Sequence, residues 1–146
     1  MAVKIYELVT VPWLVNRRGL KAMILELFKL EKKSISDLNV IFCDDAFPLT
    51  INQEFLQHDD YTDIITFELS ESDETNGEIY ISIPRIIENA VNHEVSKVEE
   101  LHRVIFHGCL HLCGYNDKLK NEKDTMRKKE EEYLKRYSSR SSTWNI

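Results

Sequence analysis

The stretch His107-Gly108-Cys109-Leu110-His111-Leu112-Cys113-Gly114-Tyr115-Asn116-Asp117 constrains this chain more than any other part of it. Residues four apart on an α-helix differ by about 400°, one turn plus roughly 40°, so His107 and His111 share a face. Gly114 is placed to end that helix in the left-handed conformation, with Tyr115 folding back onto the last turn. The chain then reverses, and Asp117 returns alongside the histidine face. Two imidazole nitrogens and a carboxylate oxygen make a sound three-ligand set for Zn²⁺ and leave a fourth position for water. Such an open site is catalytic in character, because the ion lowers the pKa of its water toward about 7.

The same interval separates the histidines of zinc peptidase helices, where a glutamate directly after the first histidine serves as general base. Here that position is Gly108, which counts against a peptidase and instead allows close backbone approach to a strand or to substrate. Cys109 and Cys113 lie about 200° around the helix from the two histidines and are expected in the core. His102 is about 140° off the metal face, and His58 and His93 have no partner at ligand spacing. All three read as surface residues.

Around this helix the pattern is mixed. Val3 to Thr10 alternates as an opening strand, and Leu14 to Leu30 carries apolar residues at helical spacing. Leu38, Val40 and Phe42 alternate in a second strand over Asp37 to Cys43, and Phe47 to Gln57 reads as a short helix or turn. Ile64 to Leu69 is a strand by its β-branched and aromatic content. Asn76-Gly77 is a turn signal closing a polar loop, after which Glu78 to Ile83 returns as a hairpin partner. Pro84 suits the first residue of a helix running to about His93, and Ser96 with Glu99 forms a capping box for the histidine helix.

A last helix spans about Glu122 to Tyr137. Its run Arg127-Lys128-Lys129-Glu130-Glu131-Glu132 reads as a solvated face with intrahelical ion pairs. The expected architecture is α+β: a single domain with a mixed four-stranded β-sheet, about five helices and a zincin-like metal-binding helix. It occupies residues 1–137, and the Ser-rich segment 138–146 is expected to be a flexible tail.

Composition narrows the function classes. Of 146 residues, 42% are hydrophobic and 30% charged, which suits one globular domain and argues against disorder. No apolar run approaches the roughly 18 to 20 residues of a membrane span, and the N-terminus lacks the pattern of a signal peptide. Three cysteines are too sparse for a disulfide scaffold. Together these point to the cytoplasm. A net charge of −6 argues against broad nucleic-acid binding. Two local basic clusters, Arg17, Arg18 and Lys21 at one end and Lys135, Arg136 and Arg140 at the other, could contact phosphate, but nothing in their spacing singles either out.

With these residues in view, the chain resembles the YbeY family, bacterial endoribonucleases that mature ribosomal RNA. The family signature His-Gly-x-Leu-His-Leu-x-Gly-Tyr-Asp-His stands here as His107 to Asp117. A segment like Thr-Asp-Val-Leu-Ser-Phe, after an Asn-x-x-Tyr-Arg stretch, is matched by Asn52 and Phe55 and then Thr62-Asp63-Ile64-Ile65-Thr66-Phe67. A third, Gly-Asp-Ile, is matched by Gly77-Glu78-Ile79. The chain departs from the pattern twice. Asp117 replaces the family's third histidine ligand and lowers the site's positive charge by one. Leu56 replaces an arginine whose guanidinium would pair bidentately with phosphate.

The resemblance implies one Zn²⁺ per chain, held by His107, His111 and Asp117. It further implies a hydrolase that cleaves single-stranded ribosomal RNA, works with the small ribosomal subunit and its proteins, and engages no membrane. Attack on the phosphodiester would come from metal-activated water or a ribose 2′-hydroxyl. Thr62 and Asp63 are the residues expected to shape the site, with Asp63 orienting a histidine. Two other readings stand beside this one: a metal-dependent hydrolase of peptides or small molecules, and a non-catalytic ribosome-assembly factor with a structural metal.

Overall fold

Alternating apolar residues build four strands, β1 (Ala2–Glu7), β2 (Ile35–Cys43), β3 (Ile64–Glu68) and β4 (Thr75–Ser82). The computed structural model describes residues 2–44, 63–69 and 75–144, apart from the side chains of Thr75 and of residues 140–144. The strands form one sheet in the order β1-β2-β4-β3. β1 and β4 both run parallel to β2, and β3 closes the far edge antiparallel to β4, so the sheet is mixed. In register, Ile5, Val40, Ile79 and Thr66 lie in one row across it.

The period of two sends alternate side chains to opposite faces. Leu38, Val40, Phe42, Ile79 and Ile81 are fully buried on the face that meets the helices. Ile41, Cys43 and Ile65 form a smaller cluster on the other face, where the Phe67 and Tyr80 rings meet edge-on at 5.7 Å. The Asn76-Gly77 pair is not a turn. Asn76 pairs with Asp37 and Gly77 with Leu38 on β2, and Gly77 also pairs with Glu68 on β3. Pairing on both sides overrides the local turn preference, and β4 begins earlier than its apolar pattern.

The helices among the described residues are α1 (Arg17–Leu30), α2 (Ile83–Asn92), α3 (Lys97–Leu112) and α4 (Lys120–Trp144). The expected element Phe47 to Gln57 lies outside the described residues. α4 runs beyond Tyr137 to Trp144, into the segment expected as a tail. Ser82 caps α2 and Ser96 caps α3, each hydroxyl accepting a backbone N–H of the first turn, and a cap of this kind is worth about 1 kcal/mol.

α3 is the central element and touches the other three helices as well as β3 and β4. Leu101, Ile105, Phe106, Cys109 and Leu110 on it are fully buried, each large apolar side chain contributing about 1.5 to 3 kcal/mol. Gly108 lets it press against the sheet. A Cβ there would stand 2.9 Å from Ile64 Cδ1 and 3.0 Å from Ile79 Cδ1, so any larger residue would make these isoleucines shift. The residue that reads as a missing catalytic base thus lets the histidine helix lie close on β3 and β4 without displacing Ile64 and Ile79.

α4 also differs from its expected character. Met126, Glu130, Tyr133 and Tyr137 recur at spacings of four, three and four and are all buried. Its charged residues do not form one solvated face. Lys129 pairs with Glu132 within the helix at 3.6 Å, but it also reaches Glu31 at 3.3 Å, and Glu130 turns inward to Arg103 of α3.

Candidate metal centre

The turn that ends α3 decides where Asp117 goes. Gly114 has φ 103°, and its N–H bonds the carbonyl of His111 while the Tyr115 N–H bonds that of Leu110, both at 3.0 Å. This is the Schellman arrangement, which satisfies the last carbonyls and reverses the chain. The turn is pinned from outside: the Tyr115 hydroxyl donates to Glu31 Oε1 at 2.6 Å, and Tyr133 and Lys129 of α4 bond the other oxygen of the same carboxylate. Burial pushes the Glu31 pKa up, but these three hydrogen bonds and the Lys129 charge outweigh it and hold the carboxyl below its ordinary value.

Three ligand atoms converge as a result. His107 Nε2 and His111 Nε2 are 3.0 Å apart, and Asp117 Oδ2 lies 3.2 Å from the first and 3.3 Å from the second. For an ion bound at about 2.0 to 2.1 Å in tetrahedral geometry, the ligand–ligand edges are about 3.3 Å. The donor set and its spacing therefore fit one divalent ion of the zinc type. The three side chains are 22%, 28% and 38% exposed, which leaves the cluster open on one side. It opens into a cleft of about 510 Å³ whose far wall is β3, with Ile64, Thr66 and Glu68 facing in from alternate positions and Asp63 at the strand's start. Among the described residues that line the cleft, none is Lys or Arg.

Behind the cluster, His107 Nδ1 meets Glu130 Oε2 at 2.6 Å, and Glu130 Oε1 accepts from Arg103 Nη1 at 3.1 Å. Burial disfavours the His107 cation, yet the Glu130 contact and the charges of Glu130, Asp117 and Asp63 more than offset this and raise its pKa.

The structure brings His107, His111 and Asp117 together and places Asp63 on the cleft wall. The hydrogen bond to histidine expected of Asp63 is made by Glu130, and Asp63 Oδ2 accepts from Asn89 of α2 at 3.1 Å. Thr62, Leu56, Asn52, Phe55 and His58 lie outside the described residues. Cys109 and Cys113 stay off the site: burial raises both thiols, Cys113 to about 12. His93 is largely exposed, with Nδ1 3.3 Å from Glu100. His102, expected at the surface, is half-buried. Its ring packs 4.9 Å from that of Tyr137, and burial lowers its pKa to about 4. The residue that sequence reasoning missed is Glu130. Its signal was the helical spacing of Met126, Tyr133 and Tyr137, which puts Glu130 on their inward stripe.

A family model described as Endoribonuclease YbeY matches residues 15–138. The Endoribonuclease YbeY of Flavobacterium psychrophilum is 52% identical over 105 residues, covering 72% of this chain and 75% of that protein. That of Cytophaga hutchinsonii is 47% identical over 120 residues, covering 82% of this chain and 84% of the relative. The solution structure of a Thermotoga maritima protein superposes with a TM-score of 0.69 at 28% identity, covering 97% of this chain and 93% of that one.

Proposed function

This chain belongs to the YbeY endoribonuclease family, and on that premise we propose that it is a metal-dependent endoribonuclease that cleaves single-stranded RNA during ribosomal RNA maturation. The observation that carries the reading is the convergence of His107 Nε2, His111 Nε2 and Asp117 Oδ2 within 3.0 to 3.3 Å at the floor of an open cleft. These residues would hold one ion, and zinc is the ion proposed. A divalent ion there supplies Lewis-acid stabilisation of charge on a phosphodiester and a water acidic enough to react near neutral pH.

The rest is done by the chain. Asp63, Glu68 and Asp117 give the cleft an acidic lining that favours a cation before an RNA phosphate arrives. β3 forms the wall against which the strand lies, and Asn89 fixes the Asp63 carboxylate on it. Thr62 and Asp63 are proposed to shape this wall. A cleft of about 510 Å³ has room for a nucleotide-scale segment of a single strand. Gly108 between the histidines offers no general base for peptide hydrolysis, which weighs against the rival class. The small ribosomal subunit is the proposed partner and the cytoplasm the proposed compartment.

The test is substrate choice. Zinc-loaded protein is incubated with unstructured RNA, with duplex RNA and with casein, beside a His107→Ala, His111→Ala double variant. Cleavage of the single strand alone, lost in the variant and after chelation, is the expected result. Proteolysis without RNA cleavage would contradict the proposal.

A further inference from the structure

Glu131 and Glu132 of α4 are exposed, whereas Glu130 beside them is only 8% exposed. Burying a carboxylate is costly by several kcal/mol unless each oxygen finds a partner. Its two oxygens are divided between two residues of α3 one helical turn apart. Oε1 accepts from Arg103 Nη1 at 3.1 Å, and Oε2 meets His107 Nδ1 at 2.6 Å. Arg103 is tethered by its other amino group to Glu131, so it cannot swing away without breaking a second ion pair.

An ionised carboxylate only accepts hydrogen bonds. The proton of the His107–Glu130 contact must therefore sit on Nδ1, and in the neutral imidazole Nε2 then carries a lone pair directed at Asp117 Oδ2 and His111 Nε2. That is the form of imidazole that binds a metal. His111 has no equivalent partner at Nδ1 among the described hydrogen bonds: its contacts with His107 and Asp117 are both made by Nε2.

We propose that Glu130, clamped by Arg103, is a positioning residue of the metal centre. It holds His107 in the Nδ1–H tautomer and aims the Nε2 lone pair at the ion. The inference rests on the metal-centre reading above and adds to it a residue from a different helix, one that touches no ligand position itself. It also explains why α4 is packed against α3 through a charged residue at this height when Tyr133 and Tyr137 serve above it.

The experiment reads tautomer and affinity separately. Imidazole ¹⁵N shifts of metal-free protein, recorded well above the imidazole titration range, report which nitrogen of each histidine carries the proton. His107 is expected to be Nδ1–H in the wild type and a mixture in Glu130→Gln, with His111 unchanged between them. Zinc titration against a chromophoric chelator is expected to show the variant binding roughly 10- to 100-fold more weakly. A wild-type His107 found as Nε2–H overturns the proposal without needing any variant. So does a folded Glu130→Gln protein that binds zinc as tightly as the wild type. Wild-type protein that takes up no zinc is a different failure, and it overturns the metal-centre reading and this one together.

Discussion

Asp117 stands where the family signature carries histidine, and the substitution changes charge more than geometry. A carboxylate oxygen completes the ligand triangle at 3.2 and 3.3 Å from the two imidazoles, but it adds a negative charge to a cleft that already holds Asp63 and Glu68. An anionic substrate must approach that field. Asp117→His keeps three ligands and removes one negative charge. Its kcat/KM on single-stranded RNA is expected to rise several-fold at low ionic strength. The gain should shrink toward about 0.15 M salt, where the screening length falls to about 8 Å. Kinetics at two salt concentrations check this, and equal gains at both would mean that ligand chemistry, not field, sets the difference. The convergence of His107, His111 and Asp117 was legible in the sequence because helix geometry and the Gly114 turn are local. Glu130 was not, because its burial depends on Arg103 and His107 arriving from another helix, and in sequence it is one of six consecutive charged residues.

Between elements, the critical joint is the Glu31 carboxylate at the end of α1. It ties the Gly114–Tyr115 turn, and through it Asp117, to α1 and α4 by accepting from Tyr115, Tyr133 and Lys129. The carboxyl's pKa in the folded protein lies below its ordinary value of 4.5. Its stabilisation is therefore present in full above the unfolded pKa and lost as pH falls through the lower folded value. Glu31→Gln is expected to lower stability by about 2 kcal/mol at neutral pH. It should also lose less than the wild type on acidification below the ordinary carboxylate range. Urea melts across that interval test both statements, and parallel acid limbs for the two proteins would rule out the joint. Elements with local signals read well: the Ser96 cap, the alternation in β2 and the glycine stop after α3 are where the sequence puts them. α4 read poorly because long charged side chains obscure a narrow inward stripe. β4 read late because its first residues are held by pairing rather than by their own pattern.

At the scale of the molecule, the mixed sheet serves to set β3 beside α3. The sheet order β1-β2-β4-β3 puts the antiparallel edge strand next to the histidine helix, and Gly108 allows the two to close to contact. That order was beyond the sequence, since strands of similar apolar content pair according to what the helices cover. The class was within reach, because four alternating segments and capped amphipathic helices in one short chain leave few other packings. Cleft, ligand cluster and buried Glu130 then form one device, in which α3 carries the histidines, the turn delivers the carboxylate and α4 braces from behind. Its central claim is that His107, His111 and Asp117 bind one divalent ion together. Metal content of purified protein, wild type against Asp117→Ala, tests this most directly. The account predicts close to one zinc per wild-type chain and a sharp fall in the variant, whereas equal occupancy in the two would contradict it.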